Sequence, residues 1–338
     1  MGSSGARVQL NPRDRRSLRR LVDVSLRRLV DVLAVIALAL LSTLAVAPRA
    51  GASVGAPCSS TTPCLRPSVA SVSAAAAPSH GYWLVGRDGG IFTFGAAHFY
   101  GSTGALHLQR RVVGIASTPD HRGYWLVAAD GGVFAFGDAG FYGSIPGLGL
   151  APNGSDRLPQ LNAPVVGIVP SRDGRGYFMV ASDGGVFAFG DAAFEGSCPG
   201  IGGCAGAGQI VMPNNGYGYW LVTTVGDVYA FGGAPYLGGP GAQGIVTSGA
   251  HTRSGPGYWI LFRYGLVFHY GDAKDFGSLP RGDSGGYDIT TAIFTTAQDN
   301  GYWIATAAGA VFGFGGAPYE GSMAGHHLNG SIIGAVGW

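Results

Sequence analysis

The chain has 338 residues and a formal charge of +2, and only 12% of them are charged, about half the share of an ordinary soluble domain. From residue 53 onward 12 basic side chains stand against 16 acidic ones, a net charge of −4, and no basic stripe forms, which argues against a nucleic-acid partner. The eight histidines show no zinc-ligand spacing, so neither a metal nor a cofactor is expected.

Residues 1–52 differ in composition from the rest. Residues 13–28 are basic and contain most of SLRRLVDV twice, starting at Ser17 and Ser25; residues 32–47 are uncharged and apolar. Ala45-Val46-Ala47 offers a small-residue cleavage site, with Ala50-Gly51-Ala52 as a second choice. This is the pattern of a secretory signal peptide. An uncleaved anchor is the alternative, and it is the only membrane contact expected. Residues 53–80, rich in Ser, Ala and Pro, read as a linker to a folded body at 81–338. Export suits the cysteines: Cys58 with Cys64, and Cys198 with Cys204, are expected to form two local disulfides.

Six related segments follow. They begin at Gly81 (GYWLVGRDGGIFTFG), Gly123 (GYWLVAADGGVFAFG), Gly176 (GYFMVASDGGVFAFG), Gly218 (GYWLVTTVGDVYAFG), Gly257 (GYWILFRYGLVFHYG) and Gly301 (GYWIATAAGAVFGFG). A period of roughly 40 residues marks one supersecondary unit stacked on copies of itself. Within the second copy, residues 124–128 and 133–136 are short apolar runs, as strands buried on both faces require. Asp130-Gly131-Gly132 between them suits a tight hairpin. Phe141-Tyr142 reads as a short outer strand, and Val112-Val113-Gly114-Ile115 as a leading one. The expectation is therefore an all-β chain, a β-propeller of six four-stranded blades. A seventh, degenerate blade, or a two-sheet or solenoid array, are the alternatives. Residues 331–336 repeat the leading strand with no GYW after them, so the C-terminal strand is expected to complete the first blade and close the ring.

Several residue types invite a functional reading. Trp83, Trp125, Trp220, Trp259 and Trp303, with Phe178 in the sixth copy, could stack on sugars. Yet Tyr and Trp of GYW point to opposite faces of one strand, and both faces of a blade pack on neighbours, so core packing is expected. Asp88, Asp130 and Asp183 in one turn, and Asp138, Asp191 and Asp272 in another, are expected to cap their own turns. One carboxylate per turn does not make a Ca²⁺ site. Gly282-Asp283-Ser284-Gly285-Gly286 matches a serine-protease string, and Gly249-Ala250-His251 echoes the histidine segment. The two lie only about 30 residues apart, with no room for a double barrel and its triad. No catalytic residue is assigned.

GYWLVAADGGVFAFGDAGFYGS resembles the repeat of secreted actinobacterial proteins with the consensus GYWLVASDGG, VFAFGDA and FYGS. The resemblance covers residues 81–338 and weakens in the last three copies, which lose the Asp-Gly-Gly turn. It implies a propeller-like fold and an envelope or extracellular role, and it carries no catalytic residues to transfer. The expected function is thus a secreted, non-catalytic propeller that binds glycan or another cell-envelope component. The alternatives are a propeller hydrolase or lyase with its site at a central channel, and a purely structural scaffold for protein partners. The interval between the second and third copies is about ten residues longer than its neighbours. Insertions of that kind fall on one rim of a repeat protein, often the binding rim. Asn153, Asp156 and Arg157 are the polar contacts expected there, beside a loop stiffened by Cys198–Cys204.

Overall fold

A computed structural model describes residues 80–150, 160–204, 206–280 and 289–338. The segments assigned above as signal and linker, with Cys58 and Cys64, lie outside the described residues, apart from His80. The strands are, in order, β1 (Gly81–Gly86), β2 (Ile91–Gly95), β3 (Val112–Ser117), β4 (Gly123–Ala128), β5 (Val133–Gly137), β6 (Val165–Pro170), β7 (Gly176–Ala181), β8 (Val186–Gly190), β9 (Ala207–Val211), β10 (Tyr219–Thr223), β11 (Val228–Phe231), β12 (Val246–His251), β13 (Tyr258–Phe262), β14 (Val267–Tyr270), β15 (Thr290–Thr295), β16 (Gly301–Thr306), β17 (Val311–Gly315) and β18 (Ile332–Gly337).

They form six antiparallel sheets of three strands, each with a GYW strand, or GYF in β7, in the middle. The hairpin after that strand needs a left-handed residue, and glycine supplies it in all six copies: Gly89, Gly131, Gly184, Gly226, Gly265 and Gly309 have φ of 77–103°. In the first three copies the aspartate Oδ1 accepts the N–H two residues on, from Gly90, Gly132 and Gly185. These aspartates cap their turns as expected. Where Asp is lost, Thr223 and Thr306 hydroxyls accept the N–H of Asp227 and Ala310 instead.

Among the described residues each sheet has three strands, not the expected four. The backbone around Phe141-Tyr142 joins no ladder; polar groups at Gly140, Tyr142 and Gly143 are instead bound by side chains of the middle strands. Tyr142 N–H donates to the Tyr177 hydroxyl of the next repeat (3.2 Å), and that hydroxyl donates to the Gly143 carbonyl (2.5 Å). Trp125 Nε1 donates to the Gly140 carbonyl (2.6 Å). The same indole bond, 15 residues long in sequence, recurs from Trp83, Trp220, Trp259 and Trp303 to the carbonyls of His98, Pro235, Lys274 and Pro318. Phe178 has no N–H to give. The phenol bond recurs from Tyr124, Tyr219, Tyr258 and Tyr302 to Gly101, Gly196, Gly238 and Gly277 of the preceding repeat. From Tyr82 it runs to Gly321, in the last repeat (2.6 Å).

The core sits between sheets. All five tryptophans and the six tyrosines of the middle strands are fully buried. Trp83 packs on Tyr124, Trp125 on Tyr177, Phe178 on Tyr219, Trp220 on Tyr258, Trp259 on Tyr302 and Trp303 on Tyr82, with ring centroids 4.8–5.9 Å apart. Each middle strand therefore presents one aromatic to each neighbouring sheet, as its alternation dictates. The C-terminal strand β18 pairs with β1 and completes the first sheet. Leading strands also touch in sequence: β3 meets β6, then β9, β12, β15 and β18 follow, and β18 meets β3.

Candidate functional site

The leading strands of all six sheets line one cavity of about 470 Å³. Much of its wall is aliphatic, with Val113, Val166, Ile333 and Val336 among the lining residues. Most of the polar side chains gather where the leading strands end and turn into the middle strands. There Thr118 and His121 follow β3, Ser171 and Arg172 follow β6, Asn214 follows β9, and Arg253 follows β12, which ends at His251. Arg172 and Arg253 are the only charged side chains in the lining, and neither belongs to an ion pair among the described residues.

Arg253 is held from two directions. Its Nη2 donates to the Gly337 carbonyl (3.1 Å), and its own carbonyl accepts from Asn214 Nδ2. Its Nε is enclosed and has no partner. Burial pushes the guanidinium below its usual range, and nearby Asp299 opposes that shift. Asp299 is buried, has φ of 52°, and accepts the Ser254 N–H at Oδ2 (2.6 Å), while its Oδ1 is unpartnered. His121, with φ of 59°, lies flat on Trp338 at 4.4 Å, and its Nδ1 has no partner. Burial pushes His121 down to about 4, helped by the Arg253 charge. Burial and then Arg253 do the same to His251, also to about 4, against the opposing pull of Asp299. Both imidazoles are therefore neutral near pH 7.

The second-turn aspartates lie at the same end of the sheets. The Asp138 carboxyl is raised, first by burial and then by the charge of Asp120. Asp120 is held low, chiefly by the Thr118 hydroxyl, and pairs with Arg122 at the surface (3.9 Å). Asp272 accepts from Thr252 Oγ1 (2.7 Å). Among the described residues no group of three or more His, Cys, Asp or Glu is placed to hold a metal.

The expected rim contacts Asn153, Asp156 and Arg157 lie outside the described residues, as does Ser284. The flanks of that long loop are described. Ile145 N–H donates to the Gly131 carbonyl and Cys198 N–H to the Gly184 carbonyl, so the long loop and the disulfide loop leave equivalent hairpin ends of successive sheets. Cys198 and Cys204 are bonded, as expected. A short 3₁₀ turn follows each anchor and exposes Leu148 and Ile201. These loops leave the opposite end of the sheets from Arg253. Sequence reasoning missed the polar cluster, although a signal exists: the segments just before three of the GY pairs, PDHRG, SRDGRG and HTRSGPG, each carry Arg or His.

A third surface feature is periodic. Phe99, Phe141, Phe194, Tyr236 and Tyr319 occupy one repeat position in the outer segment and are 58–68% exposed, whereas the five middle-strand tryptophans are 0% exposed. The remaining copy has Asp275 there. The chain matches no protein-family model and no curated protein sequence.

Proposed function

We propose that the six sheets are the blades of a closed six-bladed β-propeller, and that the chain is a secreted, non-catalytic module binding glycan or another cell-envelope component. Closure is supported by β18 completing the first sheet, by the Tyr82 bond to Gly321, and by the contact of β18 with β3. Binding rests on one observation: five repeats expose an aromatic ring at the same position. Solvent-facing aromatics cost hydrophobic free energy unless something covers them. Aromatic faces stack on the C–H faces of sugar rings, and a repeated display suits a repeated polymer. A glycan array and sedimentation with isolated cell envelope test this on the full chain. Phe99→Ala, Phe141→Ala and Phe194→Ala combined should reduce retention about tenfold with little change in melting temperature. Undiminished retention sinks the reading.

The cavity favours one competing reading, a propeller hydrolase or lyase. Its lining brings two histidines together with two arginines, residue types that a hydrolytic or lyase site uses. Its signature would be new chain ends released from envelope polysaccharide by the wild type and not by His251→Gln.

A further inference from the structure

We propose that the cavity between the leading strands is a binding site for a small carboxylate ligand, anchored by the Arg253 guanidinium. The lining carries two arginines and no carboxylate. In a chain this sparsely charged, two arginines that belong to no ion pair among the described residues and line one cavity make a local field that attracts an anion. The nearest compensating charge, Asp299, is not part of the lining and is turned to the Ser254 N–H.

The anchor is also preorganised. Gly337 and Asn214 fix Arg253 at its head and at its backbone. The guanidinium thus has fewer partners than its donors can serve, and a carboxylate supplies two acceptors in the matching planar geometry. Arg172 stands on the same lining with Nη1 on the Asn215 carbonyl (3.3 Å), placed to add its charge. His121 and Asn214 extend the polar side, and the aliphatic wall accepts the body of the ligand. A volume of about 470 Å³ falls in the range of small-molecule pockets, about 300–1,000 Å³. This assignment stands apart from the outer aromatics and survives if they bind nothing.

The test titrates the full chain with benzoate and with glucuronate, using benzyl alcohol and glucose as uncharged counterparts. Heat is measured by calorimetry, and the Arg253 Nε–H resonance is followed by NMR. At least one carboxylate should bind saturably and shift that resonance, while its uncharged counterpart does neither. Benzoate alone would point to a free aromatic acid, and glucuronate alone to an acidic sugar. Arg253→Gln should weaken binding about tenfold or more and Arg172→Gln severalfold. If Arg253→Gln does not fold, the wild-type resonance and the Arg172→Gln affinity decide. Failure of both acids to bind, equal binding of the uncharged compounds, or unchanged affinity in the arginine variants overturns the proposal.

Discussion

Trp125 shows how one side chain serves two purposes. Its ring fills the space against Tyr177, and its N–H satisfies the Gly140 carbonyl of the outer segment. Trp125→Ala should therefore destabilise by about 3–5 kcal/mol, the cost of a buried large-to-small change. Trp125→Phe keeps most of the packing and should cost about 1–3 kcal/mol, because a carbonyl loses its donor. Phe178 shows that the fold tolerates that state at one position. Urea denaturation measures both; an unchanged midpoint for Trp125→Ala would refute the packing role. Histidines make a second prediction at this scale. His121 and His251 fall from 6.5 to about 4 on folding, so below pH 6.5 the unfolded chain binds protons that the native one does not. Their contribution is complete above pH 6.5 and is lost as pH falls towards 4. Each should cost up to about 2 kcal/mol by pH 5, less where the ring is solvated. Denaturation at pH 7 and pH 5 should show the loss, and His251→Gln should reduce the difference. An identical pH response in that variant would remove His251 from the account.

At the level of elements, the tyrosine of each middle strand ties the outer segment of the preceding repeat. The Tyr177 hydroxyl makes two bonds to that segment, at Tyr142 and Gly143. Tyr177→Phe leaves the ring in place and removes both, so a loss of about 1–3 kcal/mol is expected. The change should appear as faster amide exchange in residues 139–144, with little effect on β7 itself. Uniform exchange across the sheet would contradict this division of labour. Burial also raises the phenol ionisation of Tyr177, and pushes Tyr82 up to about 12. Stability held by these neutral phenols is present below pH 10 and declines as pH rises through the raised values.

For the whole molecule, β18 carries a share of stability out of proportion to its length. It supplies the leading strand of the first sheet and meets both β15 and β3. Removing residues 332–338 exposes the edge of β1 and one side of two neighbouring sheets. Bare edges of this kind template aggregation. We expect that truncation to abolish a single cooperative melting transition and to give insoluble protein. A shortened chain that melts as sharply as the full one would show that the sheets fold independently.

Much of the fold was legible in the sequence because repetition multiplies weak signals. A hairpin glycine in six copies, with φ positive each time, is a stronger statement than one glycine, and the alternation of Tyr and Trp dictates burial on two faces. The unpaired leading strand at residues 332–337 likewise named its place beside β1. The strand count went wrong because hydrogen-bond partners are not written in local propensity: Phe141-Tyr142 has the composition of a strand, and only packing hands its backbone to Tyr177 and Trp125. The cavity was illegible for a related reason. Arg172, Asn214, His251 and Arg253 belong to three repeats and look like ordinary turn residues in each. Sequence alone determined the brick; which polar ends of six bricks face one another is set by how the sheets pack, since that depends on distances between residues far apart in the chain.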